Sequence, residues 1–492
     1  MQGGKRNAAG MRGFLRSARK NADRDFQDVM KAPARPRSVL NVRNVSAKFR
    51  AMRPRLPLLA LSVAALPSLA FAETVKDREG AVRKDRTAME YDARWIYNDF
   101  KGGLAKAKQT GKPLLIVLRC VPCLSCAGID AQVLEEKELI PLLDQFVCVR
   151  VINANALDLS LFQFDYDLSF STLFFNGDGT IYGRYGSWTH QHDPMNKTTA
   201  GFRSTLEGAL AIHRGFPANK TALAGKQGGP IPFKTAVEIP WLAGKYKAAL
   251  DWEGKVVQSC VHCHQVGDAF RTSYRDQGKA IPEEWVYPFP KPETIGLTLA
   301  TDAAARVEAV AADSIAAKAG LKAGDNLISL GGQPLISPAD VSWVLHRTTG
   351  AANLPVTAKR GNAAVNVSLT LPVGWRETTD ISKRVGTWSM RGMAFGGLVL
   401  EEPTDEERAK LGIAKDHMAL RAKGVGQYGK HAAAKNAGWL KEDVITELDG
   451  SSERITEGTA IGRLLRAHKP GDKVKAKVLR AGKTIELSLP IQ

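Results

Sequence analysis

The sequence predicts a multidomain chain: an α/β domain at the front, a short cysteine- and histidine-bearing segment, and two α+β repeats behind it. Three observations carry this prediction. Apolar runs in the order βαβ then ββα span residues 88–216. The cluster Cys260-Val-His-Cys263-His264 stands between that region and the rest, in a segment spanning 240–294. Finally, Ala319-Gly-Leu-Lys-Ala-Gly324-Asp325-Asn-Leu-Ile328 returns 118 residues later as Ala437-Gly-Trp-Leu-Lys-Glu442-Asp443-Val-Ile445.

A length of 492 residues suits about three domains. The net charge of +19 suggests nucleic acid until its distribution is read. Residues 1–55 hold 15 Lys/Arg against 3 Asp/Glu, so the remaining 437 hold 54 against 47, a surplus of only 7. No basic, aromatic-interleaved face is left, which argues against nucleic-acid binding. Export explains the front end better. Met52-Arg-Pro-Arg55 is a basic start, Leu56–Leu66 an apolar run, and Ala70-Phe-Ala72 a cleavage site, so Met52–Ala72 reads as a signal peptide. The run is too short and too proline-broken for a stable membrane span. Residues 1–51 read as a disordered basic extension, or as sequence upstream of a true start at Met52. A periplasmic or secreted protein is expected.

Within residues 88–216, Trp95, Ile96, Phe100, Leu104 and Ala107 recur at helical spacing, and Gly111-Lys-Pro113 closes that helix. Leu114–Leu118 is a short apolar run of the kind a fully buried parallel strand shows. Cysteines follow directly, then a helical stretch to about Leu143 and a strand Phe146–Ile152. Leu173–Phe175, the turn Asn176-Gly-Asp-Gly179 and Ile181–Tyr185 read as a hairpin, before a last helix from Thr199 to His213.

Gly-Lys-Pro, an apolar strand, Cys120-Val-Pro-Cys123 and a helix resemble the redox turn of thioredoxin-like proteins. The resemblance implies Cys120 as attacking thiolate at a helix N-terminus, with Cys123 one turn on to resolve the mixed disulfide. Arg119 precedes the turn, and its positive charge is expected to lower the thiol pKa. Cys126 makes a second, overlapping C-x-x-C. Ser171 occupies the position at which the family normally carries a cis-proline. Three readings stay open for these cysteines: redox activity, an inert disulfide, or a three-thiolate metal site.

Cys260-Val-His-Cys263-His264 matches the c-type haem attachment signature, in which two thiols bond the haem vinyl groups and the histidine reaches the iron. Lys247–Val257 is expected to supply the helix leading into it. No methionine lies between Met195 and Met390, so a second axial ligand would come from elsewhere: His190, His192 or His213. Prolines 282, 288, 290 and 292 predict an extended segment over 282–292. Covalent haem, a disulfide, and zinc held by Cys260, Cys263 and a histidine such as His264 all remain open. The role of Cys148 is not legible.

The repeats span 295–373 and 392–490, and they resemble bacterial PDZ domains. The resemblance implies peptide capture by strand addition beside a loop of free N–H groups. In the first copy the loop and strand are Ile295, Gly296, Leu297, Thr298 and Leu299, with Pro338–His346 as helical wall. In the second they are Phe395, Gly396, Gly397 and Leu398. The second copy departs from the first at Glu442, which replaces glycine, and in an insertion around 403–416. No nucleophile elbow or Ser/His/Asp domain precedes them, so a serine protease is not expected. Most of residues 85–490 is similar to the bacterial thioredoxin-like/PDZ (seleno)protein family, some members of which carry selenocysteine where this chain has cysteine. An exported thiol–disulfide oxidoreductase is the expected function, with protein or peptide clients recruited through PDZ grooves and a redox partner protein. A haem-bearing electron carrier and a non-catalytic scaffold are the alternatives.

Overall fold

Six consecutive apolar or long side chains, Leu114–Arg119, are all buried, as they must be where a strand is covered on both faces. The computed structural model describes residues 77–119, 134, 136–168, 170–186, 199–382 and 384–492. Among these, helix α1 (Arg78–Tyr91) precedes β1 (Trp95–Tyr97), α2 (Phe100–Thr110), β2 (Leu114–Arg119), β3 (Val147–Val151), β4 (Phe170–Phe175) and β5 (Ile181–Tyr185). The five strands form one sheet in the order β1-β3-β2-β4-β5. Strands β1 and β2 run parallel to β3, while β4 is antiparallel to β2 and β5 antiparallel to β4.

The expected helix starts later than its apolar pattern suggests. Trp95 and Ile96 belong to β1, and Asp99 caps α2 by accepting from Gly102 N at 2.8 Å. Gly111 ends that helix at φ +69°, a left-handed conformation glycine adopts without strain. Helix α1 has no counterpart in the sequence reading.

Alternation sorts the sheet into two cores. Leu115, Val117, Phe174 and Tyr182 face α3 (Thr199–Arg214), which buries Phe202, Leu206 and Ala209 against them. Leu114, Ile116, Leu118, Val147, Val149 and Val151 face the other way. That second face is covered by α2 and by α4 (Cys263–Asp276), which contributes Val266, Ala269 and Phe270. Each such side chain stabilises by about 1.5–3 kcal/mol. The Cys260–His264 segment is therefore a layer of the front domain rather than a unit of its own. Lys247–Val257 forms no leading helix, since only the turn Val256–Ser259 is helical. The stretch 282–292 is not wholly extended either: Glu283–Val286 makes one helical turn directly after Pro282, where a proline removes no helical donor.

The repeats share one order of elements. The first has β6 (Leu297–Leu299), β7 (Val307–Val310), β8 (Asn326–Leu330), α5 (Pro338–Arg347), β9 (Ala352–Arg360) and β10 (Ala363–Leu371). Helix α6 (Thr387–Phe395) then leads to β11 (Leu398–Glu401), β12 (Leu420–Val425), β13 (Val444–Leu448), α7 (Glu457–Ala467), β14 (Lys473–Arg480) and β15 (Lys483–Pro490). A buried fork recurs as well. Arg360 Nε meets Asp325 Oδ1 at 2.7 Å, and Arg480 Nε meets Asp443 Oδ1 at 2.7 Å. Glu442 sits at φ +70° where the first repeat has Gly324 at φ +87°, so the departure is a strained residue in an unchanged turn. The insertion is a short helix, Asp405–Lys410, closed by a capping box between Thr404 and Glu407.

Candidate functional site

The redox turn follows β2 without a gap in sequence; Cys120, Cys123 and Cys126 themselves lie outside the described residues, as do His190, His192 and Met52–Ala72. The frame that holds the turn is described. Antiparallel register sets Ser171 opposite Leu118 and Phe170 opposite Arg119. The position expected to lack its proline thus lies two residues before Cys120 on the neighbouring strand.

Arg119 is buried and ion-paired. Its Nη1 stands 3.0 Å from Asp85 Oδ1, and Asp85 also receives Arg150 and the Tyr97 hydroxyl, the last at 3.1 Å. The Arg119, Arg150 and Asp85 side chains are nearly inaccessible. Burial, with Asp85 beside it, pushes the Tyr97 phenol far above its ordinary range. Arg119 therefore pairs with Asp85, a partner the sequence reading missed. Arg150 offered the signal: a cation inside the apolar run Val147–Val151 requires a buried counter-ion.

Cys260, His262 and Cys263 line a cavity of about 10 Å³ together with Leu118, Arg119, Val151 and Ile152. That volume holds about one water. Cys260 Sγ donates to Ile152 O at 3.5 Å. Burial pushes the Cys260 thiol up to about 11 and the Cys263 thiol up to about 12. A covalent haem does not fit these residues, because the sulfurs face a packed sheet end with no space for a porphyrin. His213 is engaged elsewhere, between Tyr182 Oη at 2.9 Å and Gly111 O at 2.9 Å. Nor do Cys260, Cys263 and His264 converge as zinc ligands; among the described residues no cluster of three such side chains could hold a metal ion. Cys263 and His264 are successive residues at the start of a helix, so their side chains diverge by about 100°. Cys148 is a core residue, with its thiol pushed up to about 12 by burial.

The two grooves differ. In the first repeat β6 pairs with β7 alone among the described residues, so its other edge is open toward Ala339 and Ser342 of α5. Ala311 N donates to Gly296 O at 2.9 Å, and a Cβ at Gly296 would meet Ser314 at 2.1 Å, which requires glycine there. In the second repeat the equivalent edge is taken. Leu400 N donates to Glu457 Oε1 at 2.8 Å, and Arg391 of α6 locks Glu457 at 2.6 Å. Helix α6 packs on both β11 and α7. Phe395 ends helix α6 rather than starting the expected loop, which is Gly396 and Gly397 before Leu398 starts β11, and the groove beside them carries its own occupant.

Comparison with known proteins agrees with the division into modules. Residues 95–177 match the thioredoxin-like family model, and residues 306–360 match the PDZ domain model. The chain contains a thioredoxin-like domain and a PDZ domain. A "Probable periplasmic serine endoprotease DegP-like" of Pseudomonas fluorescens is 28% identical over 181 residues, covering 37% of this chain and 36% of that protein. The chain thus spans about a third of that curated relative. The solved structure "HtrA-type protease AlgW with decapeptide" shares 18% identity over 28% of this chain and 48% of that one, with a TM-score of 0.19. No helix among the described residues is long and apolar enough to cross a membrane.

Proposed function

We propose that the chain is an exported thiol–disulfide oxidoreductase that recruits peptide or protein clients through its first PDZ groove, the second PDZ-like repeat serving as packing. One observation carries this reading. The thioredoxin-like match contains Cys120-Val-Pro-Cys123 immediately after β2, the central buried strand of the sheet. In the proposed step the Cys120 thiolate attacks a client disulfide. One Cys120–client S–S bond forms, the client S–S bond breaks, and the departing client thiolate takes a proton. The thiolate of Cys123 or Cys126 then attacks the Cys120 sulfur, releasing the client as a dithiol and leaving an intramolecular disulfide, so two electrons pass to the client. Export rests on the sequence of Met52–Ala72. A haem-based carrier finds no support in the 10 Å³ cavity at Cys260 and Cys263.

Replacing Cys120 with Ser is expected to lower insulin-disulfide reduction at least about 100-fold, because serine is neither a thiolate nor able to form the mixed disulfide. Retention of full activity by the variant would sink the reading.

A further inference from the structure

The first PDZ groove does not open to free solution along its whole length. It faces the front domain. Asp340 of α5 accepts from Arg184 N of β5 at 3.1 Å and pairs with Lys226 at 2.8 Å, both side chains being buried. Ile336 presses on Gly183 and Gly208, where added Cβ atoms would come within 2.4 and 3.0 Å. Trp343 donates to Gly225 O at 2.9 Å and carries the Arg184 guanidinium 3.5 Å above its ring. These contacts fix α5 on the edge of the thioredoxin-like sheet.

Between the two modules lies a cavity of about 230 Å³. One side is Thr298, Leu299 and Ser342 of the PDZ groove, and the other is Ser171 and Tyr185 of the sheet. Arg184 lines it at the junction. Its Nε and Nη2 are bonded to Gln163 O and Lys226 O, each at 2.9 Å, while Nη1 is buried without a hydrogen-bond acceptor.

We propose that this cavity is one continuous site for the extended C-terminal segment of a client polypeptide. The last residues of the client add antiparallel to the open edge of β6, with the chain end at Gly296. The chain then leaves the far end of β6 past Arg184 and Tyr185 and reaches Ser171. The PDZ groove and the thioredoxin-like strand thereby read a single peptide, and binding by the one presents the client to the other. The inference rests on the peptide-binding reading of the first groove.

The test uses the full chain with Cys120, Cys123 and Cys126 changed to Ser, carrying Ser171→Cys. Labelled decapeptides from a randomised pool with free C-terminal carboxylates are selected on it, and a single cysteine is then walked along the tightest one. Under mild oxidation a disulfide to position 171 is expected at one or two adjacent positions upstream of the last four residues. The decapeptide should bind on the order of tenfold tighter than its C-terminal tetrapeptide, about 1.4 kcal/mol. If peptides bind but no position crosslinks and the tetrapeptide is as tight, the continuous site is wrong while peptide capture stands. If no peptide is retained at all, both fall. Ser342→Trp, on the PDZ side, should abolish retention without touching the sheet.

Discussion

Asp85→Ala is expected to be among the most destabilising single substitutions in the front domain, at about 3–5 kcal/mol. The carboxylate lies on α1 yet holds Arg119 at the end of β2 and Arg150 in β3, the latter also through Nε at 3.3 Å. Removing it leaves two guanidiniums buried without that counter-charge, each nearly inaccessible to water. A midpoint shift in chemical denaturation, followed by Trp95 fluorescence or hydrogen exchange in β2, measures the effect. Asp85→Asn should fall between, because the amide oxygen still accepts hydrogen bonds but carries no charge. A loss below about 1 kcal/mol for the alanine variant would mean that other groups satisfy both arginines. Thiol exchange at Cys120 should suffer as well, since Arg119 is its immediate neighbour in sequence.

That network marks the boundary of what the sequence revealed. The sheet was legible because β2, β3 and β4 are buried on both faces and read as largely apolar runs, punctuated by Gly111-Lys-Pro and Asn-Gly-Asp-Gly. The repeats were legible because the segments that end in Asp325-Asn-Leu-Ile328 and Asp443-Val-Ile445 recur 118 residues apart. Charge partners across long separations were not. Asp85 and Arg150 are 65 residues apart, and nothing local in α1 distinguishes Asp85 from the exposed acids beside it. The fate of the C-x-x-C-H motif was likewise hidden. Its spacing is common to haem, zinc and disulfide chemistry, and only the packing of Val266, Ala269 and Phe270 onto the sheet shows where the motif sits. Second-groove occlusion depends on Glu457 reaching back 57 residues to Leu400 N, a contact that no motif encodes.

Raising the pH from 8.5 to 10 is expected to destabilise the protein steeply, through three cysteines the proposed chemistry does not use as nucleophiles. Burial pushes Cys148 up to about 12, Cys260 to about 11 and Cys263 to about 12, whereas an unfolded thiol ionises near about 8.5. Above that value the unfolded chain gives up protons that the folded chain keeps, so the folded state binds more protons and stability falls as pH rises. Each thiol contributes a slope of up to about 1.4 kcal/mol per pH unit, or about 4 for all three. The window matters, because the buried tyrosines add a loss of the same sign only above about pH 10, where an unfolded phenol ionises. Denaturant midpoints at pH 8, 9 and 10 measure the slope, and a Cys148→Ala, Cys260→Ala, Cys263→Ala variant should flatten it. A slope equal to a single thiol would show that Cys260 and Cys263 are joined as a disulfide. No slope at all would show that these sulfurs are solvated. The same protonation protects them: at pH 8 a thiol near pKa 11 exposes on the order of 100-fold less thiolate than a free cysteine, so native alkylation should stop at the redox turn. A thiol that must attack has to be a thiolate at working pH, which is why the proposed attack falls to the cysteines after β2 in sequence and not to Cys260 or Cys263, whose thiols burial pushes up.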